Sequence, residues 1–488
     1  MGFSTVDAVI VAVYLLGITI FGILSGGKQH TTRDYFLGRQ QIPWWAVCFA
    51  VVATETSALT FIGIPGIAYV SNLNFLQLAL GYIVGRVLVS YLLLPAYFKG
   101  ELATAYGFLN SRFGGPTRNF ASTVFLITRV AADGVRLYAT AIPLKLVSGL
   151  DYPTAIGLTA LVTLLYTSIG GVRSVVWMDV VQMFVYIGGG FAAVASLGYV
   201  LPEGIAGAVE SAAAAGKLTL LNFDLGDGFA QFLQSPYNFV ASVVGGMFLS
   251  MASHGTDQLI VQRLLSTDSL QSSKKALILS GVIVFFQFAL FLGIGLLLYA
   301  HYQGASIDPN EVFPRFIVEH MPTGLSGLII AGLFAAAMST LAGSINSLSS
   351  STVLDLYKPY RGKNSTDRSD IRFSRIVSFV WTAVLVISAL FFMQTTRTVV
   401  ELALSIASFT YGGLLGTFFL GVLFKTPQQR DAIVGFAAGL LVMVFIYLVT
   451  DIAWTWYTFV GSGITLTVGS LSSLLRSHAD SVTSVEKH

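Results

Sequence analysis

Long apolar stretches alternate with short polar connections over almost the whole chain. A helix needs about 20 mainly apolar residues to cross the hydrocarbon core of a bilayer, and most of these stretches reach that length. The pattern predicts an all-α membrane protein with about 13 transmembrane helices. The predicted spans cover residues 5–25, 44–71, 75–98, 117–147, 153–170, 174–201, 236–264, 276–301, 323–356, 371–396, 398–424, 431–451 and 454–475.

The composition supports this prediction and narrows the functional classes. Of the 488 residues, 55% are hydrophobic and 10% are charged, whereas soluble proteins have about 25% charged residues. The single cysteine, Cys48, excludes a disulfide framework and a thiolate metal site. With no P-loop motif and no basic tract, nothing points to ATP hydrolysis or to nucleic acid. We therefore expect a polytopic membrane protein that is not driven by ATP.

The distribution of Lys and Arg predicts the orientation in the membrane. If the N-terminus lies outside, 20 of the 27 Lys and Arg residues are cytoplasmic, three are external and four lie within spans. Cytoplasmic loops of membrane proteins carry such an excess. We expect a multi-pass protein of the plasma (inner) membrane with its C-terminus in the cytoplasm. The oligomeric state is left open, and one copy in the bilayer is expected to suffice.

The span at 44–71 has a polar centre. Ala53-Thr54-Glu55-Thr56-Ser57 places a carboxylate and three hydroxyls at mid-membrane depth, and Gly63, Pro65 and Gly66 follow. Intramembrane charges face a cavity or a partner, and a helix broken at this depth is a common ion and solute site in secondary transporters. The alternative is a Pro-kinked packing helix in which Glu55 pairs with a basic neighbour.

A second interrupted span lies five helices later, at 236–264, and has the opposite predicted orientation. It contains Gly245-Gly246 and the polar run Ser253 to Gln258. Two sets of five helices with opposite topology, each opened by a broken helix, indicate an inverted repeat. We predict repeats at 44–201 and 236–424, joined by an external loop at 202–235. Residues 1–43 and 425–488 are then peripheral.

The ninth span carries a stripe of small and hydroxylated residues. Ala336, Ser339 and Thr340 share one helix face, since they lie three and four positions apart. Carbonyls freed at the break around residues 53–56, together with two hydroxyls, would form an all-oxygen cage of the kind that hard cations prefer. The alternative is close helix packing, with the hydroxyls bonded to carbonyls one turn back.

The fourth span places Arg129, Asp133 and Arg136 on one face. They could form an internal ladder of ion pairs in which either arginine neutralises Asp133. Alternatively, one arginine is left to hold an anion with its planar fork. Asp257 and Asp179 are further intramembrane acids, each a functional candidate or a paired residue.

Five motifs in the predicted core helices resemble those of the sodium/solute symporters, which include glucose, proline, iodide, vitamin and sialic acid carriers. They are ATETSALTFIGIPGIAY (53–69), YTSIGGVRSVVWMDVVQ (166–182), GTDQLIVQR (255–263), FAAAMSTLAGSINSLSSSTVLDLY (334–357) and GTFFLGVLFKTPQQRDAIVGFAAG (416–439). The resemblance implies a LeuT-like fold of five plus five helices with one extra N-terminal helix, and alternating access. It also implies a sodium site made by the carbonyls of Ala53, Thr56 and Ala336 and the hydroxyls of Ser339 and Thr340.

The same resemblance implies solute contacts at Glu55, Ser57 and Thr60, at Asp257, and at Arg129, the position at which sialic acid carriers hold a carboxylate. Two positions depart from the sialic acid carriers. Glu55 stands where they have a hydroxyl, although proline carriers have an acid there, and Ala79 stands where they have a glutamine. These departures argue against sialic acid as the solute.

We therefore predict a sodium-coupled symporter for a small polar solute that is carboxylate-bearing or zwitterionic. In a zwitterion, Glu55 and Arg129 would meet the opposite charges. A neutral sugar is the alternative solute, and a sensory membrane module or a passive channel is the alternative of another class.

In the family that this sequence resembles, the members that bind a second sodium ion have one acid and two serines at that site. Here the acid is Asp179, but the other positions are Ala342 and Gly343, so we predict one sodium per solute and read Asp179 as a structural acid or a partner of Arg173.

Overall fold

The computed structural model describes residues 4–26, 31–56, 58–99, 102–360, 367–394 and 399–485, and these contain helices but no strand. The helices, in chain order, are α1 (Thr5–Gly26), α2 (Thr32–Leu37), α3 (Trp44–Glu55), α4 (Ala58–Val70), α5 (Leu76–Leu92), α6 (Leu94–Lys99), α7 (Ala105–Phe113), α8 (Gly115–Ser148), α9 (Tyr152–Val200), α10 (Gly204–Ala214), α11 (Phe229–Gln234), α12 (Phe239–Gly255), α13 (Gln258–Leu264), α14 (Leu270–His301), α15 (Val312–His320), α16 (Leu325–Ser350), α17 (Asp367–Phe391), α18 (Val399–Leu423), α19 (Gln429–Val449) and α20 (Tyr457–Val485).

Both predicted breaks are present. The axes of α3 and α4 differ by 55°, and those of α12 and α13 by 64°. Within the described residues, nine helical segments are long and apolar enough to cross a membrane, and the two bent pairs bring the number to eleven. The other two predicted spans fall on α8, which is 34 residues long, and on the first part of α9. The total of 13 remains a prediction.

The long helix α9 contains the two spans predicted at 153–170 and 174–201. Gly171, between them, has φ of 61° and ψ of −163°, which is not helical. Glycine adopts such angles readily because it has no Cβ. The kink therefore divides α9 into two spans at the glycine pair that the sequence places there.

The helix that carries the hydroxyl stripe, α16, is the most buried of the nine long apolar helices, and α1 is the least buried. α16 packs against α9, α3 and α8, while α12 packs closely on α5. α1 contacts α9 and α16 from outside. Its Asp7 accepts hydrogen bonds at the start of α16, from the Gly324 amide at 2.7 Å, the Ser326 hydroxyl at 2.8 Å and the Gly327 amide at 2.9 Å.

Candidate functional site

A cavity of about 90 Å³ lies at the two helix breaks and is lined by residues of α3, α4, α5, α8, α12, α13, α14 and α18. A cavity of this volume holds only a few water molecules. Four of the predicted solute residues line it: Glu55, Thr60, Arg129 and Asp257. The fifth, Ser57, lies outside the described residues. The break in each discontinuous helix thus brings polar groups from both predicted repeats to one cavity.

Arg129 is buried between two acids. Its Nε lies 3.1 Å from Oδ2 of Asp133, and its Nη1 lies 3.3 Å from Oδ2 of Asp257. Asp133 also pairs with Nη1 of Arg136. The ladder suggested by the sequence is present, and it extends across the cavity to the second broken helix. Among the described residues, the ion pairs of Arg129 use Nε and Nη1, which leaves Nη2 for a ligand.

Asp257 is fixed by its position at the start of α13. Its Oδ1 accepts the backbone N–H of Leu259 at 2.8 Å, as an N-cap residue does. Its Oδ2 accepts the hydroxyl hydrogen of Tyr411, a cavity residue on α18. Asp257 therefore orients Arg129 and Tyr411 from a backbone position that the break itself creates.

Glu55 has the basic neighbour that the sequence analysis considered. Nη2 of the fully buried Arg86 on α5 pairs with its carboxylate, and Nη1 of Arg86 donates to the Ser280 hydroxyl at 2.6 Å. His254 lies on the other side, with its Nε2 3.6 Å from Oε2 of Glu55. Nε2 is buried and has no hydrogen-bond partner among the described residues, so it is available to a molecule in the cavity.

The predicted sodium ligands lie on two helices that pack together, α3 and α16. Ala53 and Thr56 are at the end of α3, where the last carbonyls of a helix lack intrahelical donors. Ser339 and Thr340 are buried on α16, and Ala336 lies one turn before them. The Thr56 hydroxyl accepts a hydrogen bond from the Gln287 amide. Backbone and hydroxyl oxygens of the kind that hold a hard cation thus occur on the facing helices.

Asp179 has a different partner from the one predicted. Arg263, on α13, places Nη2 at 3.0 Å and Nε at 3.2 Å from Oδ2 of Asp179. Arg173 is six positions from Asp179, and such residues lie on different faces of a helix. The Ser339 hydroxyl donates to the other oxygen, Oδ1. Asp179 is therefore a paired acid, and its arginine comes from the second broken helix.

Several polar residues of the cavity lining were not predicted as solute contacts, among them His254, Tyr411 and Arg136. Arg86, which reaches Glu55 from outside the cavity lining, was not predicted as its partner either. The isolated arginine in an apolar span was the available signal for Arg86, because such a charge requires a partner. Tyr411 gave no signal, since one tyrosine in an apolar helix has no distinctive spacing.

The chain is similar to known proteins over most of its length. A family model described as the sodium:solute symporter family matches residues 35–439. The sodium/sialic acid symporter SiaT of Proteus mirabilis is 27% identical, over 97% of this chain and 96% of its own. The sodium-coupled monocarboxylate transporter 2 of Bos taurus is 29% identical, over 91% and 72%.

A solved structure of a Na⁺-coupled sialic acid symporter, substrate-bound and outward-open, superimposes with a TM-score of 0.88 at 27% identity. The alignment covers 97% of this chain and 98% of that one. The prediction of an all-α, LeuT-like fold is confirmed. The repeat boundaries remain predictions.

Proposed function

Since the chain belongs to the sodium:solute symporter family, we propose that the solute it moves with sodium is a small carboxylate. The protein is a sodium-coupled membrane transporter and not an enzyme. The observation that carries the proposal is the guanidinium of Arg129, which lines the central cavity with Nη2 uncommitted among the described residues. A guanidinium binds a carboxylate with well-defined geometry.

The similar proteins support a carboxylate. One relative is named as a sialic acid symporter and another as a monocarboxylate transporter. The small size of the cavity favours a short monocarboxylate over a sugar acid. A zwitterion fits less well, because Arg86 already neutralises Glu55, the acid that would meet an ammonium group.

A neutral sugar is the second candidate, and one observation favours it. Around the cavity, the three arginines Arg86, Arg129 and Arg136 are all paired with acids. A solute without charge would leave this balance unchanged. Its hydroxyls would donate to Asp257, to Glu55 and to Nε2 of His254, whose Nδ1–H faces the Ser250 carbonyl.

We further propose that one sodium ion binds to the carbonyls of Ala53, Thr56 and Ala336 and to the hydroxyls of Ser339 and Thr340. Thr340 also borders a small cavity with Asp133 and Arg136. The sodium ligands are thereby next to the network that holds Arg129. This contact offers a direct route for coupling, in which each of the two ligands strengthens binding of the other.

The membrane topology is part of the proposal. The excess of Lys and Arg in alternate loops supports an external N-terminus, a cytoplasmic C-terminus and a location in the plasma (inner) membrane. Import by alternating access follows if the sodium gradient is directed inward. The two proposed five-helix repeats, at 44–201 and 236–424, each contribute one broken helix to the proposed solute site.

The experiment is uptake into proteoliposomes with an inward sodium gradient, using short monocarboxylates, zwitterionic amino acids and neutral sugars. We expect sodium-dependent accumulation of a monocarboxylate. Arg129→Lys should weaken uptake about tenfold or more, because a point charge does not replace a planar fork. The control is Arg315→Lys, which changes an exposed arginine of α15 paired with Glu319.

Three results bear on the proposal. Accumulation of sugars alone, with wild-type behaviour of Arg129→Lys, would favour the second candidate. If Arg129 serves only to neutralise Asp133 and Asp257, Arg129→Ala should misfold, and the double variant Arg129→Ala/Asp257→Asn, which leaves Asp133 paired with Arg136, should recover folding. That recovery, together with normal carboxylate uptake, would exclude Arg129 as the solute ligand.

A further inference from the structure

Asp179, Arg263 and Ser339 form a buried cluster that joins α9, α13 and α16, and it lies outside the lining of the central cavity. The cluster includes one proposed sodium ligand, Ser339. Both oxygens of Asp179 are engaged, Oδ1 by the Ser339 hydroxyl and Oδ2 by the guanidinium of Arg263. Asp179 is thus in direct contact with the sodium site without being one of its proposed ligands.

The guanidinium of Arg263 is held from several sides. Its Nη1 donates to the carbonyl of Leu259 at 2.8 Å, and the side chain is almost fully buried. Gly343, on α16, supplies the space: a Cβ there would lie 2.5 Å from Nη2 and 3.1 Å from Nη1 of Arg263. Any other residue at position 343 would displace the guanidinium. A fixed positive charge therefore occupies the space beside Asp179.

The direction of the Ser339 hydrogen bond follows from this charge. A carboxylate can only accept hydrogen bonds, and Oδ2 of Asp179 already accepts the Nε and Nη2 hydrogens of Arg263. The Ser339 hydroxyl must therefore give its single hydrogen to Asp179. Its lone pairs are then directed away from Asp179, and a hydroxyl binds a cation through its lone pairs.

We propose that Asp179, fixed by Arg263, is a positioning residue for the sodium site, because it takes the hydroxyl hydrogen of Ser339 and leaves the oxygen lone pairs facing the cation. The inference rests on the sodium ligands of the proposed function. In this inference the guanidinium of Arg263 supplies the positive charge beside Asp179. Asp179 then acts on sodium by orienting Ser339 and is not itself a sodium ligand.

The test measures sodium binding without a solute. The thermal unfolding midpoint of purified protein in detergent is followed as sodium chloride replaces choline chloride at constant ionic strength, which gives the half-saturating sodium concentration. We expect Ser339→Ala and Asp179→Asn each to raise that concentration about tenfold. In the Ser339→Ala background, Asp179→Asn should add less than about twofold, because the hydroxyl it orients is gone.

Gly343→Ala tests the same arrangement without removing a charge. It should displace the guanidinium and raise the half-saturating sodium concentration severalfold. The matched control is Gly293→Ala on α14, where a Cβ would meet nothing within 4 Å. Arg263→Lys keeps the positive charge beside Asp179 but loses the planar guanidinium. If the other variants do not fold, the half-saturating sodium concentration of Arg263→Lys tests the positioning role. A merely structural role would lower the sodium-free midpoint and leave the half-saturating concentration unchanged.

Failure of the inference is distinguishable from failure of the sodium site. If Ser339→Ala and Thr340→Ala leave sodium binding unchanged, the proposed ligands are wrong. If those variants weaken binding but Asp179→Asn, Gly343→Ala and Arg263→Lys do not, Asp179 has no positioning role. Equal effects of Asp179→Asn in the wild-type and Ser339→Ala backgrounds would also overturn it, since Asp179 would then act independently of Ser339.

Discussion

Arg129 illustrates how a buried cation can serve two acids and still present a donor to a ligand. A guanidinium has five N–H groups in a planar fork, and its contacts with Asp133 and Asp257 use only part of them. A lysine in the same place would have to divide one ammonium group among the two acids and the solute. The residue type is thus suited to a site in which charge balance and ligand binding share one side chain.

The first residue-scale prediction concerns Thr340. Thr340→Ala removes one proposed oxygen ligand from a buried cation, and each lost partner corresponds to roughly 1–3 kcal/mol. We expect the half-saturating sodium concentration to rise about tenfold or more, with a parallel loss of solute affinity at fixed sodium. Thr340→Ser is the control, because it retains the hydroxyl. Unchanged sodium dependence of the alanine variant would show that the sodium site does not include Thr340.

A second residue-scale prediction concerns the pair of Glu55 and Arg86. Glu55→Gln leaves the fully buried Arg86 without a counter-charge, and breaking a buried pair lowers the free energy of unfolding by about 3–5 kcal/mol. Thermal unfolding in detergent should show this loss. The double variant Glu55→Gln/Arg86→Met should recover most of it, and equal instability of the single and double variants would argue against the pair.

At the scale of elements, the broken helices determine which groups meet in the cavity. The end of α3 presents its carbonyls, and the start of α13 presents Asp257 as an N-cap. Gly171 has a comparable effect in α9, where one residue with non-helical angles redirects the chain between two spans. Local departures from helical geometry therefore position the chemistry of the site.

Substitution of Gly171 tests this view of α9. Its φ and ψ lie in a region that is open essentially only to glycine, and holding another residue there costs roughly 1–3 kcal/mol. Gly171→Ala should lower the thermal unfolding midpoint measurably. The control is Gly157→Ala in the same helix, where a Cβ would meet nothing within 4 Å and alanine is the better helix former. Equal midpoints for the two variants would contradict the assigned geometry.

Structural features could be predicted where their sequence signal lies within one helix. Both broken spans were predicted from polar runs with glycine inside apolar stretches, and the cavity joins Glu55, Arg129 and Asp257 as expected. The partners of Glu55 and Asp179 were not predictable in the same way. Arg263 lies 84 positions from Asp179, and no spacing rule connects residues on separate helices. They meet because α9 and α13 both pack against α16.

At the scale of the whole molecule, the net charge moved per transport cycle reports both the number of sodium ions and the charge of the solute. Asp179 is neutralised by Arg263, and Ala342 and Gly343 offer no side-chain oxygen to a second ion. We therefore expect one sodium per solute, with sodium activation of Hill coefficient near one. One sodium with one monocarboxylate carries no net charge, so uptake should evoke no current in proteoliposomes on a solid-supported membrane.

The same measurement separates the two candidate solutes. A neutral sugar moving with one sodium would evoke an inward positive current. A carboxylate that evokes such a current, with a reversal potential indicating two sodium ions per solute, would overturn the single-site proposal. In that case other oxygens, such as the hydroxyl of Ser344 or water, would have to complete a second cage.

The contact between Asp7 and the start of α16 has a practical consequence for shortened or tagged forms of the protein. The carboxylate of Asp7 engages three donors at the N-terminal end of the helix that carries Ser339 and Thr340. A deletion that removes α1 as dispensable would leave those donors without their acceptor and loosen the helix from that end. The resulting loss of sodium response would resemble a defect in the ion ligands, although every ligand would still be present.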